Sequence, residues 1–545
     1  MVQQDGTGQV TVVRAFTRSL PGMFLLQLFA GLTLYPVIRF LLLPFLSGSS
    51  GGLSFAGVLS ADALTNSVRI ALESTLWALA AGIAIAFVFE RRRWAGSHLT
   101  MLVLWLIFIT PSYLMTTGWQ IFFTLPAFAH GWLAGVFFSE AGVVFLLGLK
   151  GLPFAVLAAR NSWRVIGAEL GDAASLHIKS ALRRRATLLQ LLLPSAASAF
   201  AIVFVENIQE FGIPATLGAQ IHLPIVTYAI YERLATTPVD FRGAALLSWQ
   251  LVGLAVLAAL VQLHFSGRYS GALVHGRRRV VPPPSCSVVE RMLACLGLLL
   301  LAGLGVAVPG ANIVIAALSP VRDLAARPVP WDSLVYSTLY AVLAALAAVS
   351  IAAPVLLRQR ARAGRFTHLL NAISLANMAL PGIVLGAAYL IAFNSDALPL
   401  YGTPLLLVIA YVAVQVPMLL RFLQTPIEHI HPNLSEAARL HGVAWSARVL
   451  DVEGPLLARP FVWGWMMAFA QVFFELPISE LLYPAGRPPV GVALVWLNQS
   501  LHYAQEARLA LAAIAVTFVV AGLITWAVRL AAPLQLAGEP AGNPA

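Results

Sequence analysis

Few side chains in this 545-residue chain could do chemistry, and they lie in apolar surroundings. Lys150 stands mid-run between Leu149 and Gly151; Glu206, Asn207, Gln209 and Glu210 crowd the end of a second run; Glu475 and Glu480 lie near the end of a third. At membrane depth each such group costs about 3 kcal/mol by insertion scales, so it needs an internal partner or a water-filled path. Residues of this kind can pair between helices, brace a helix break, or line and gate a route for a solute. They do not make a hydrolytic centre. His177-Ile178-Lys179-Ser180 is the nearest thing to a phosphate cradle, and Ile178 occupies a position where a P-loop needs glycine. Neither HExxH nor paired CxxC occurs, and Cys286 and Cys295 stand nine residues apart as plain structural thiols. One formal GxSxG, around Ser50, lies in a Gly/Ser-rich stretch with no strand before it. No catalytic residue, no metal ligand set and no cofactor bound by this chain is assigned.

The elements that must position these residues are membrane helices. The chain is 59% apolar and 10% charged, with a mean hydropathy of +0.83, against roughly 25% charged residues in soluble proteins. A soluble enzyme is excluded on those grounds. Apolar runs near 23–46, 67–89, 99–123, 138–160, 192–213, 243–265, 292–316, 334–357, 369–394, 403–424, 456–483 and 507–531 predict about twelve transmembrane helices in an all-α polytopic fold. The first is too long for a signal-peptide core and reads as an uncleaved span. The net charge of +11 lies largely in alternate loops, as at Arg91 to Arg93, Arg183 to Arg185, Arg277 to Arg279 and Arg358 to Arg365. Loops 47–66, 124–137 and 395–402 hold no Lys or Arg. By the positive-inside rule both termini are cytoplasmic, and the arginines are topology signals rather than a nucleic-acid surface.

The runs also repeat. Pro153 and Pro417 are 264 positions apart, as are Asp172 and Glu436; Glu210 and Glu475 are 265 apart, and the basic turns beginning at Arg91 and Arg358 are 267 apart. Four landmarks at nearly one offset indicate a fused tandem duplication. The polar stretch before span seven, with Pro282 to Pro284, reads as the connector. The expected division is a first permease half at 1–266, a cytoplasmic linker at 267–291 and a second half at 292–545.

The most informative segment is Glu436-Ala437-Ala438-Arg439-Leu440-His441-Gly442, followed after nine residues by Val452-Glu453-Gly454-Pro455. It predicts a short cytoplasmic helix, led by the cap residues Asn433 and Ser435 and interrupted at Gly442. The segment resembles the EAA loop of binding-protein-dependent ABC importer permeases: Glu436, Ala437, Ala438, Gly442 and Pro455 match in place, Val452 substitutes for Ile, and Gly454 departs from Leu. Asp172, Ala173 and Ala174 form a weaker copy in the first half, with Ile178 where glycine is expected. ITPSYLMTTGWQIFF around Pro111, ALPGIVLGAAYL around Pro381, VENIQEFGIPATLG and FFELPISELLYPAG extend the likeness, which is to the fused, double-length permeases of the ferric-iron type.

That resemblance implies an importer subunit that moves a small polar solute, ferric iron first, from periplasm to cytoplasm by alternating access. It implies two copies of a cytoplasmic ATPase, which hold the ATP and Mg, and a periplasmic binding protein, in a bacterial inner membrane. Two readings of the acids stay open: Glu206, Asn207, Glu210, Glu475 and Glu480 line a path or gate, or Glu210 and Glu475 stabilise helix breaks beside Gly212 and Pro477. Lys150 is a candidate for the same path or gate, where it could contact a substrate anion, but an ion pair with Glu206 or Glu210 is the first expectation. The competing class is an ion-coupled secondary transporter of twelve helices, which has no reason to carry matched coupling loops.

Overall fold

A computed structural model describes residues 31–46, 61–92, 94–165, 180–269, 286–320, 328–361, 365–395, 398–428 and 454–531, with isolated positions 434, 437, 438, 440–444 and 447 between them. The first half contains α1 (Gly31–Leu46), α2 (Ala61–Arg91), α3 (Ser97–Ile109), α4 (Ser112–Thr124), α5 (Trp132–Phe137), α6 (Glu140–Val165), α7 (Ala181–Gln209), a π turn at Pro214–Gly218, α8 (Val226–Ala235) and α9 (Phe241–Tyr269). Next come α10 (Val288–Ala302), a π turn at Gly303–Ala307, α11 (Val308–Leu318), α12 (Asp332–Ala361), α13 (Arg365–Met378) and α14 (Gly382–Ala392). A two-residue ladder, Asn394–Ser395 with Leu398–Pro399, leads to α15 (Pro404–Glu428), α16 (Gly454–Phe473), α17 (Pro477–Leu482), α18 (Val490–Gln499) and α19 (Tyr503–Ala531).

The protein is an all-α polytopic membrane protein. Among the described residues, eight helices are long and apolar enough to cross a bilayer, or up to ten if each of two bent pairs is one span. Where they are described, the twelve predicted runs fall on helix, but runs three, nine and eleven are not the single rods expected, the last being broken between α16 and α17. Runs three and nine are the pairs α3–α4 and α13–α14, bent by 99° and 106°. Pro111 and Pro381 cause the bends: each is extended, with ψ 138° and 140°, lacks an N–H, and disfavours helix in the residue before it. Run five lies on the 29-residue helix α7, and the described part of run one is α1. The sequence between runs also holds α8 and α18, which were not anticipated.

Small residues set the interior. One face of α12 buries Tyr340, Ala341, Ala344, Ala345, Ala348 and Ala352, and α15 packs on that helix as α6 packs on α2. Without a hydrophobic force between helices in lipid, close backbone approach of this kind supplies the association energy. The opposite pattern marks α10, where Val288, Val289, Met292, Leu293, Leu296, Leu299 and Leu300 are exposed. Apolar side chains turned outward over most of a helix suit a hydrocarbon solvent.

The duplication is visible in detail. Ser67 accepts the N–H of Val226 at 2.9 Å, starting α8, and Ser337 accepts the N–H of Val490 at 2.7 Å, starting α18. Each half also lends its first helix to the other. On α1, Arg39 donates to the Ala392 carbonyl at 3.0 Å, while the Tyr389 hydroxyl donates to the Leu32 carbonyl. In return α11 lies on α4 so closely that a Cβ on Gly118 would come within 2.4 Å of the Pro309 carbonyl oxygen. Trp119 also reaches across, donating to Leu304 at 3.1 Å.

Candidate functional site

Four helix breaks come together, and the predicted path residues lie on or beside them. In the first half the break at Pro111 packs on the break after α7, where a Cβ at Gly212 would stand 2.4 Å from Ser112 Oγ. In the second half a Cβ at Gly382 would stand 3.1 Å from Pro477. The pairs then join across the halves: Tyr113 donates to the Phe474 carbonyl at 3.2 Å, and Gln209 donates to the Ala379 carbonyl at 3.2 Å.

Glu210 and Glu475 hold two of these breaks. Glu210 ends α7 in an extended conformation, and its Oε1 accepts from the Gly212 N–H at 2.7 Å, the Ile213 N–H at 3.4 Å and Ser112 Oγ at 2.6 Å. Glu475 accepts from the N–H groups of Ile478 at 2.7 Å and Ser479 at 2.9 Å, and from the Ser479 hydroxyl. Each carboxylate thus satisfies N–H groups that a restarting helix leaves without partners, and sits at the positive end of its dipole. The brace reading describes what these two side chains do in this structure.

Lys150 does not form the ion pair expected of it. Its ammonium donates to the carbonyls of Ile107 at 3.1 Å, Phe108 at 2.8 Å and Thr110 at 2.5 Å. These are the acceptors that α3 leaves open when Pro111 ends it, so a cation on α6 caps the negative end of a broken helix. Glu206 and Glu210 lie within electrostatic range of Lys150 without bonding to it.

Asn207 is buried and donates to Ser74 at 2.9 Å and Thr75 at 3.2 Å, joining α7 to α2 rather than facing a path. Glu206 differs: its side chain is exposed, one turn before the break, with Glu210 and Lys150 as its charged neighbours. Glu480 on α17 is half-buried and faces the Tyr231 hydroxyl of α8, from the other half. Of the predicted path residues, Glu206 and Glu480 are the two with accessible surface and no bracing role. Asn377 donates to the Ala413 carbonyl at 2.7 Å, an interhelical bond.

The coupling segment is described in part. Asp172, Ala173, Ala174 and Glu436 lie outside the described residues. Ala437, Ala438 and Leu440 are helical, and the helix closes through His441 N–H to the Ala437 carbonyl and Val443 N–H to the Ala438 carbonyl, both at 3.1 Å. Gly442 has φ +76° with nothing within 4 Å of a notional Cβ, so glycine is used there for its left-handed conformation and not for space. Leu440 is 87% exposed at the tip. Pro455 stands in the first turn of α16, where its missing N–H has no partner to lose.

One group of residues was not legible as a cluster in the sequence, although Gln120, a polar side chain in an apolar run, is expected there to bond between helices. Thr117 and Gln120 on α4, Gln220 after the first π turn, Asn498 on α18 and Glu506 on α19 form a hydrogen-bonded cluster between the halves. Glu506 lies near the start of an apolar run, where acids are ordinary, so only the packing reveals that it is enclosed.

Known proteins give the same family signal as the motifs. The chain is 24% identical over 512 residues to a probable ABC transporter permease of Sinorhizobium fredii, covering 85% of this chain and 88% of that one. It is 22% identical over 447 residues to a putative ferric transport system permease of Haemophilus influenzae, 75% of this chain and 69% of that one. A thiamine transport system permease of Brucella abortus is 26% identical over 348 residues, 61% of each chain. No family profile and no solved structure matches the chain. The resemblance read from the EAA segment and from the stretches around Pro111, Pro381, Glu210 and Glu475 is therefore borne out: the relatives are ABC transporter permeases, the ferric type among them.

Proposed function

We propose that this chain is the membrane-spanning subunit of an ABC importer in a bacterial inner membrane, with both termini in the cytoplasm. The observation that carries the reading is the coupling helix, closed by left-handed Gly442 and presenting exposed Leu440, in a chain whose ABC permease relatives match it over most of its length. An apolar side chain raised on a capped helix tip suits insertion into a groove on a partner. That partner is a cytoplasmic ATPase, two copies of which hold ATP and Mg; a periplasmic binding protein delivers the solute. The division into a half at 1–266, a linker at 267–291 and a half at 292–545 belongs to the same reading. The chain itself hydrolyses nothing. Closing of the ATPase pair draws the coupling loops together and turns the pathway outward, and hydrolysis returns it.

The solute is small and polar, with ferric iron the leading candidate. Support comes from the ferric permease among the relatives and from Glu206 and Glu480, two acids beside the converging helix breaks. Carboxylate rings favour cations in a pore. The thiamine relative names the main competitor. Glu436→Lys is expected to detach the ATPase or uncouple its hydrolysis from uptake, by reversing charge at the head of the coupling helix. Co-purification of ATPase with the membrane subunit, and uptake into proteoliposomes, measure this. Undiminished ATPase recovery together with undiminished uptake would overturn the assignment.

A further inference from the structure

The cluster around Glu506 has features that its neighbours in the fold lack. Glu506 is 0% exposed, as is Gln120, while Thr117 and Asn498 are 1% and 2% exposed. The carboxyl group touches Thr117 Oγ1 and Asn498 Nδ2, the latter at 3.1 Å from Oε2 and 3.4 Å from Oε1. No cation joins it. Arg508, two residues on, turns to the carbonyls of Ala317 and Ser319 at 2.9 and 2.7 Å. The other titratable groups around it are the Tyr113 phenol from α4, which Glu475 faces as well, and His502 and Tyr503 at the head of its own helix. Neither α11 nor α18 carries a charged residue.

The hydrogens do not suffice for the contacts. Thr117 has one, and its oxygen also reaches the Tyr113 carbonyl at 2.9 Å; Asn498 has two on Nδ2, which faces Thr117 Oγ1 at 3.0 Å, Gln120 Oε1 at 2.8 Å and Glu506. A proton on Glu506 reduces the shortage from two contacts to one, leaving only the Asn498 Nδ2 to Thr117 Oγ1 approach without a hydrogen of its own. Glu506 then donates to Thr117, Thr117 to the Tyr113 carbonyl, and Asn498 to Gln120 and to the remaining carboxyl oxygen. An ionised carboxyl group here would be a buried charge without a counterion.

The duplication supplies an internal control. Pro111 and Pro381 align α4 with α14 at an offset of 270, Val226 and Val490 align α8 with α18 at 264, and Phe241 and Tyr503 align α9 with α19 at 262. The counterparts of Thr117, Gln120, Asn498 and Glu506 are then Ala387, Leu390, Leu234 and Ala244, all buried. The same junction between halves is apolar on one side and polar on the other.

We propose that Glu506 carries a proton that closes a clasp with Thr117, Gln120 and Asn498, so that one of the two equivalent junctions between the halves is held by a proton and the other by apolar packing. The proposal concerns the fold alone and stands whether or not transport is driven by ATP. A carboxyl group protonated when enclosed and ionised when exposed makes the enclosed state lose ground as pH rises above the ordinary carboxyl value of about 4.3. Alkaline pH thus loosens the clasp and leaves its counterpart unaffected.

The test uses full-length protein in lipid nanodiscs, wild type and Glu506→Gln. Infrared spectra should show a neutral-carboxyl stretch in the wild type that Glu506→Gln lacks. Hydrogen exchange on α4 and α19, taken as a ratio to α14 and α9 in the same sample so that intrinsic rates cancel, should rise from about pH 5 to about pH 9 in the wild type, by up to about tenfold per pH unit once the clasp ionises. In Glu506→Gln the ratio should stay level. A variant carrying Thr117→Ala, Gln120→Leu, Asn498→Leu and Glu506→Ala copies the apolar junction and should likewise show a level ratio. An unchanged carboxyl band in Glu506→Gln, or the same pH-dependent ratio in all three proteins, would overturn the proposal.

Discussion

Lys150 shows what a single residue in this protein has to do. Ending α3 at Pro111 leaves carbonyls that neither water nor the next turn can satisfy, and Lys150 bonds to three of them. Lys150→Met keeps the length and the apolar stem but removes the donors, and each acceptor left bare in a buried site costs about 1–3 kcal/mol. The expected outcome is a lower midpoint for thermal unfolding in detergent, with Lys150→Arg much milder because it keeps a cation and several donors. The anomaly was legible in the sequence, since a charge amid apolar residues needs a partner. The partner was not, because it consists of backbone oxygens exposed by a bend some forty residues away. Glu210 and Glu475 went the other way: Gly212 and Pro477 beside them announced helix breaks, and the carboxylates brace those breaks.

At the scale of elements, the coupling helix depends on how it stops. Gly442 is left-handed at its end, and a β-branched residue there costs at least about 1 kcal/mol because its Cβ meets the following carbonyl. Gly442→Val should therefore reduce ATPase recovered with the membrane subunit, while Gly442→Asn, which tolerates the same conformation, should preserve most of it; quantitative co-purification checks both. The bent pairs teach a complementary lesson. Runs 99–123 and 369–394 have the length and hydropathy of a span, and hydropathy does not register direction. Pro111 and Pro381 in their middles were the only local sign, and a proline inside a membrane helix often leaves it crossing. Here the prolines end α3 and α13, and the second member of each pair, bent by 99° and 106°, packs at Gly212 and at Pro477.

At the scale of the whole molecule, the two halves are equivalent frames with unequal contents. Ser67 and Ser337 start α8 and α18 through one hydrogen bond each, both buried. Ser67→Ala and Ser337→Ala should each cost about 1–2 kcal/mol, and the double variant should cost their sum, since the sites share no partner. Thermal or denaturant unfolding of the three variants tests that equivalence. From the sequence alone came the all-α membrane architecture, the duplication and the family likeness, because hydropathy, a constant offset and motif spacing are properties of the chain as written. The tertiary structure decided that two runs fold back, that each half lends a helix to the other, that Lys150 caps a backbone, and that Glu506 is enclosed between halves on one side only. Those features depend on which surfaces meet, and residues hundreds of positions apart meet only when the helices pack.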